Sequence, residues 1–245
     1  MVTVKILGVS GSPRHGNTEI LVQEALSGAE ELPNVKTEFI SLVDKKIAGG
    51  CKACFNCLKK PSSDLLCRGP GLKDDVNDIL RKMIEADGII LGTPTYWGSV
   101  TSQLKCVIDR VQSVESAGML LRNKVGGAIT VACNRQGGQE GAVLDILKFY
   151  LISDMIPVSV GPERPEEGLV GFYGVQGQQG FPHRVASWLP GGKSACRQDE
   201  MGMKAARNLG KRVAEFAKIV KAGLAAMSDV ELAWPKGPIS PWKEE

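Results

Sequence analysis

Several things are missing from this chain of 245 residues, and each absence removes a class of function. No apolar run approaches the roughly 18 residues that a spanning helix needs. The N-terminus runs straight into an apolar segment, without the basic region and small-residue cleavage site of a secretory signal. There is little charge of either sign in excess: 30 basic against 27 acidic residues, a formal net charge of +3. That balance gives no argument for nucleic acid or for an anionic membrane surface. Only two histidines occur, His15 and His183, and no Ser/His/Asp set or pair of carboxylates stands out for side-chain catalysis, so no catalytic residue is assigned. Seven cysteines, an odd number with three bunched, do not read as a secreted disulfide framework. A soluble, cytoplasmic protein is expected.

What is present centres on Val9-Ser10-Gly11-Ser12-Pro13-Arg14-His15-Gly16-Asn17-Thr18. This loop lies between an apolar run, Val2 to Val9, that reads as a buried strand, and Glu19 to Leu26, which reads as a helix. The N-terminus of a helix presents unpaired N–H groups and partial positive charge, a seat for phosphate. Ser10, Ser12, Asn17 and Thr18 add donors, and Arg14 adds a full charge. The loop lacks the Lys of an NTPase P-loop, where Asn17 stands instead, and it lacks Gly-x-Gly-x-x-Gly. It also has no Cys nucleophile. A cradle for a terminal monophosphate remains, beside the plainer alternative of a capped strand–turn–helix connection.

Strand and helix patterns then alternate. Val35 to Leu42 reads as a second strand, Asp74 to Ile84 as a helix, Gly88 to Gly92 as a buried strand and Ser102 to Val111 as a helix. Val125 to Ala132 is the fourth strand, Ala142 to Ile152 a helix, Met155 to Val160 a fifth strand, and Gln198 to Ala222 the last helix. The expected fold is α/β, a doubly wound five-stranded parallel sheet of order 2-1-3-4-5, in one domain over 1–222. Residues 45–72 form a Cys-rich insertion, 161–198 a long irregular excursion with Phe172, Tyr173, Phe181 and Trp188, and 223–245 a tail. The excursion is either a mobile loop or a flap over a cofactor or a neighbouring subunit.

Ligands of such sheets bind beyond the carboxyl ends of the strands. Three loops meet there: Ser10 to Thr18, Pro94-Thr95-Tyr96-Trp97-Gly98, and Asn134-Arg135-Gln136-Gly137-Gly138. A phosphate cradle beside an aromatic slot is what a flavin mononucleotide needs.

In order along the chain, Gly11-Ser12-Pro13-Arg14-x-Gly16-Asn17-Thr18, Thr93 to Val100 and Gly137-Gly138-Gln139-Glu140 resemble the NAD(P)H-dependent FMN reductases of flavodoxin-like fold. Lys73-Asp74-Asp75 after a Cys cluster is similar to their iron–sulfur flavoprotein branch. The resemblance covers Val2 to Val160 and the last helix. It implies that Ser10, Ser12, Pro13, Arg14, Asn17 and Thr18 hold the FMN phosphate. It places Pro94, Thr95, Tyr96, Trp97 and Gly98, with Asn134, Arg135, Gly137 and Gly138, around the isoalloxazine. It also implies homodimers or homotetramers.

Cys51-x2-Cys54-x2-Cys57-x9-Cys67 has the ligand number and tight spacing of a [4Fe–4S] site, with a last gap longer than in the proteins it resembles. Four thiolates also suit zinc, and free or redox-paired thiols stay open. Three functions compete. In the first, NAD(P)H reduces bound FMN, which serves a small-molecule or protein acceptor. In the second, an electron carrier takes electrons from a ferredoxin through the Cys cluster. The third is a non-redox scaffold holding zinc.

Overall fold

The computed structural model describes residues 2–64, 66–133, 137–160, 175–178 and 194–234. Its centre is a parallel sheet of β1 (Val4–Ser10), β2 (Val35–Ser41), β3 (Gly88–Pro94), β4 (Val125–Ala132) and β5 (Ile156–Pro157), in the expected order β2-β1-β3-β4-β5. Val4 pairs with Val35 and Ser10 with Ser41, while Ser10 also faces Gly92 on β3, so β1 and β3 end side by side. β1, β3 and β4 are almost wholly buried because helices cover both faces of the sheet, which is why they read as continuous apolar runs.

Alternation along β1 divides the core. Val4 and Ile6 face α1 (Asn17–Glu30) and the long C-terminal helix. Leu7 and Val9 face the opposite layer, built from Val76, Ile79, Leu80 and Met83, from Leu104 and Val107, and from Val143, Ile146 and Tyr150. The helices between are α2 (Asn56–Lys59), α3 (Val76–Glu85), α4 (Ser102–Arg110), α5 (Gln112–Ser116), α6 (Gln139–Ile152) and α7 (Glu200–Ala226). α1 and α7 pack closely through small residues. A Cβ on Gly210 would lie 1.7 Å from the Ala25 carbonyl oxygen, and one on Gly28 would lie 2.0 Å from that of Arg207. Only glycine fits these two positions.

The far edge departs from expectation. A strand over Met155 to Val160 is realised only as Ile156–Pro157, since Pro157 supplies no N–H to continue the ladder. Val158 N–H still reaches the Gly126 carbonyl at 2.9 Å. The edge resumes farther along β4 with β6 (Val175–Gln178), whose Val175 pairs with Ile129 and Gln178 with Ala132. Part of the excursion expected to be irregular is therefore a sheet strand, and Ala195–Gln198 is a 3-10 turn. The Val-Gln-Gly-Gln composition of β6 gives no alternation to find. Phe172, Tyr173, Phe181, His183 and Trp188 lie outside the described residues, as do residues 235–245 of the tail. The last helix runs over Glu200–Ala226 rather than Gln198 to Ala222, and the unanticipated α2 falls inside the Cys-rich segment. Among the described residues, no helix is long and apolar enough to cross a membrane.

Candidate functional site

The first loop is built from the core outward. Ser10 is the last residue of β1 and fully buried; its hydroxyl finds no hydrogen-bond partner among the described residues. Gly11 donates its N–H to the Gly92 carbonyl at 2.7 Å, and the Thr101 hydroxyl donates to the Gly11 carbonyl at 2.5 Å. A Cβ at Gly11 would lie 2.8 Å from that of Leu104, so the loop backbone rests directly on α4. Ser12 turns inward, its hydroxyl donating to the Arg14 carbonyl at 2.6 Å and accepting the Arg14 N–H at 3.1 Å. Pro13 is half-buried, and Arg14 and His15 extend outward. Gly16 caps α1 with φ 148°, a conformation open to glycine.

Asn17 and Thr18, the first helical residues, are both buried. Asn17 Oδ1 accepts the Cys196 N–H at 2.8 Å. Its amide is thereby oriented, and its carbonyl end is committed to the turn before α7. The Thr18 methyl packs toward Gly92. One contact was not foreseen: Glu19 reaches back to the Gly16 N–H at 3.3 Å and to His15 Nδ1 at 3.0 Å, while His15 Nε2 stands 3.5 Å from Asp44. A carboxylate thus sits at the N-terminal end of α1. A Glu three residues after a cap is a sequence signal for this arrangement.

The second loop closes as a tight turn. Tyr96 and Ser99 exchange backbone bonds of 3.0 and 3.1 Å, with Trp97 (φ 51°) and Gly98 (φ 78°) at the corners. A tryptophan in the left-handed region costs on the order of 1–3 kcal/mol. Here its ring is fully exposed, and Tyr96 is partly so. The Thr95 hydroxyl is buried without a partner among the described residues. Ser99 donates to Asp145 on α6 at 2.5 Å, and Thr101 N–H reaches the Thr93 hydroxyl at 3.2 Å. Thr101, which also caps α4, joins the first two loops; its place just before a helix is the cue for that role.

From the third loop, Gly138 abuts the turn: a Cβ there would meet Gly98 Cα at 2.8 Å. Gly137 N–H is held by Gln139 Oε1 at 2.7 Å. Asn134 and Arg135 lie outside the described residues. All three loops therefore meet at the carboxyl ends of β1, β3 and β4. They leave two buried hydroxyls, Ser10 and Thr95, with capacity for a further partner, beside a helix N-terminus and an exposed aromatic pair. These groups fit the phosphate and ring of FMN.

The cysteine segment is fixed at its ends and open in its middle. Asp74 accepts the Ala48 N–H at 2.7 Å, Asp75 accepts that of Lys46 at 2.7 Å, and Arg110 donates to Asp74 at 2.6 Å with both side chains fully buried. Burial alone would raise the Asp74 carboxyl, but the Arg110 guanidinium and the Ala48 N–H hold it below the usual range. On the far side, Asn77 pairs with the Cys67 backbone at 3.0 and 3.1 Å, and Arg68 donates to the Asn56 carbonyl at 2.6 Å. Asp74 and Asp75 are thus the anchor of the segment, and Lys73 beside them is exposed. Cys51 is exposed, while Cys54, Cys57 and Cys67 are half-buried. Their soft donors suit an iron–sulfur cluster or zinc. Among the described residues, however, no three Cys, His, Asp or Glu side chains converge as a metal site.

Comparison with known proteins agrees with this geometry. The profile of the NADPH-dependent FMN reductases matches residues 4–161. An iron–sulfur flavoprotein of Methanocaldococcus jannaschii is 43% identical over 219 residues, 89% of this chain and 100% of that one. A second, from Archaeoglobus fulgidus, is 36% identical over 212 residues, 86% of this chain and 96% of that one. Among solved structures, RosB with a bound formylriboflavin phosphate intermediate shares the fold, with TM-score 0.62 and 15% identity over 94% of this chain and 84% of its own. The chain is a flavodoxin-like oxidoreductase that belongs to the NADPH-dependent FMN reductase family.

Proposed function

We propose that FMN binds across the three loops, is reduced by NAD(P)H, and serves a small-molecule or protein electron acceptor. The observation that carries this reading is the buried Ser10 hydroxyl, without a partner among the described residues, at the end of β1 where the chain turns into α1. A buried hydroxyl without a partner costs on the order of 1–3 kcal/mol, which a phosphate oxygen would remove. Ser12, Pro13, Arg14, Asn17 and Thr18 complete the phosphate cradle. Pro94, Thr95, Tyr96, Trp97 and Gly98 flank the ring, and Gly137 and Gly138 admit its edge, with Asn134 and Arg135 assigned to the same rim. Bound FMN supplies hydride-accepting chemistry, so the side chains need only orient it and shield it from water.

Cys51, Cys54, Cys57 and Cys67 are the ligands we assign to a [4Fe–4S] cluster, on donor chemistry and on the names of the two relatives. Holding one requires the middle of the segment to gather inward between its fixed ends. We place the protein in the cytoplasm, where unpaired thiols persist, and as a homodimer or homotetramer, with the exposed Leu144, Leu151 and Ile152 on α6 as an apolar contact face.

The second reading, a carrier fed by a ferredoxin, is favoured by the exposure of the Cys segment. An absorption spectrum of anaerobically purified protein, with iron and zinc analysis, tests both. Flavin bands with iron and NAD(P)H oxidation support the first reading. Flavin and iron without NAD(P)H oxidation support the second. A colourless protein with stoichiometric zinc, unable to take up FMN, refutes both.

A further inference from the structure

The indole of Trp97 is fully exposed, so it takes no direction from packing. Its direction comes from the backbone, held at φ 51°. A tryptophan disfavours that left-handed conformation and keeps it only where its surroundings impose it. Here the surroundings are α6. A Cβ at Gly138 would stand 2.8 Å from Gly98 Cα, and one at Gly141 would stand 2.5 Å from the Gly98 carbonyl oxygen. The first turn of α6 therefore lies directly against the corner of the second loop. One turn on, Asp145 accepts the Ser99 hydroxyl at 2.5 Å, a charge-assisted bond, while its other oxygen faces Lys148 at 3.3 Å. Toward the sheet, Thr95 N–H is bonded to the Val131 carbonyl at 2.9 Å. The second and third loops thus form one unit with α6, whereas residues 10–18 are tied to β3, α4 and the turn before α7.

We propose that Asp145 is a positioning residue for the flavin ring: through Ser99 it locks the turn that aims Tyr96 and Trp97 at the cofactor. The inference rests on the FMN reading of the three loops. Asp145 supplies no chemistry of its own. Its bond removes the turn's freedom to relax toward an unstrained conformation, so the aromatic pair meets the ring already in place. The two ends of the cofactor are then aligned independently, the ring by α6 and the phosphate by α1 and α4.

The test is titration of the cofactor-free, full-length protein with FMN and with riboflavin, with flavin fluorescence recorded at saturating protein. Asp145→Ala and Ser99→Ala are each expected to weaken both flavins by the same factor, about five- to tenfold, for the loss of one charge-assisted hydrogen bond. The ratio of the two affinities should stay constant, because the phosphate end is untouched. Bound flavin should fluoresce more strongly in both variants, since quenching by a phenol or indole requires close contact with the ring. A merely structural loss would release flavin without brightening the bound form. The double variant should bind no more weakly than either single one, as two ends of one bond do. Asp145→Asn, which still accepts from Ser99, should recover most of the affinity. Unchanged affinity and fluorescence in both single variants would overturn the proposal. So would weakening confined to FMN, additive losses in the double variant, or an Asp145→Asn protein no better than Asp145→Ala. A wild-type protein that binds neither flavin sinks the FMN reading itself, while one that binds both, with the variants unaffected, sinks only the role of Asp145.

Discussion

The first loop, proposed above to hold a phosphate, and the cysteine segment are both connections of this fold, yet they are built in opposite ways. Residues 10–18 are tied to β3, α4 and the turn before α7 through Gly11, Thr101 and Asn17, and most of their side chains are buried. Residues 45–72 are tied to the rest of the fold chiefly near their ends and by Arg81 at the Asp64 carbonyl, with largely exposed side chains between. The first can be shaped before any ligand arrives, because its shape is a by-product of core packing. The second has ligand chemistry and, on the function proposed above, would take its final arrangement from what it binds. An organic cofactor with one fixed phosphate suits the first design, and a group assembled from thiolates suits the second.

The difference can be broken from either side. The largest effect is expected at the α1–α7 seam that holds the first loop in place. Gly210→Ala drives a methyl into the Ala25 carbonyl and should cost at least about 3 kcal/mol, or prevent folding, in urea unfolding. Asp74→Asn strikes the anchor of the second region. It leaves Arg110 buried without its counter-charge and should cost roughly 3–5 kcal/mol. Adding Arg110→Met should recover much of that loss, whereas a double variant no better than the single would deny the ion pair its role.

A third test reaches Glu115 on α5, the short helix that follows α4. Burial pushes the Glu115 carboxyl up to about 7, from an ordinary value near 4.5. The folded state then binds the proton more tightly than the unfolded chain, so this group's contribution to stability falls as pH rises between those values, by roughly 2–3 kcal/mol. Glu115→Gln should flatten that part of the stability profile. An unchanged profile would show the carboxylate to be solvated.

The smallest effects concern the cradle. Glu19→Gln removes a negative charge from the phosphate seat and should tighten FMN binding about three- to tenfold. Asn17→Asp adds one and should weaken it by a similar factor. Equal affinities in both variants would move the phosphate elsewhere.

Much of this was legible in the chain, for definite reasons. Strands buried on both faces announce themselves as apolar runs, so β1, β3 and β4 and the sheet order followed directly. The first loop stood out because glycine and hydroxyl residues gather at a strand-to-helix junction, a pattern that suits a phosphate seat and also a plain turn and helix cap. β6 was not legible, since its pairing is set by the neighbouring edge and not by its own side chains. The Asn17–Cys196 tie joins residues 179 positions apart and leaves no local trace. Asp74 drew notice as part of a motif, but its role as an anchor emerges only with Arg110 beneath it.

The central claim is that the first loop grips a phosphate. Titration of the cofactor-free protein with FMN and with riboflavin, followed by quenching of flavin fluorescence, tests it most directly. FMN is expected to bind at least about 100-fold more tightly, the contribution of two or more charge-assisted hydrogen bonds. Equal affinity for the two flavins would contradict the account.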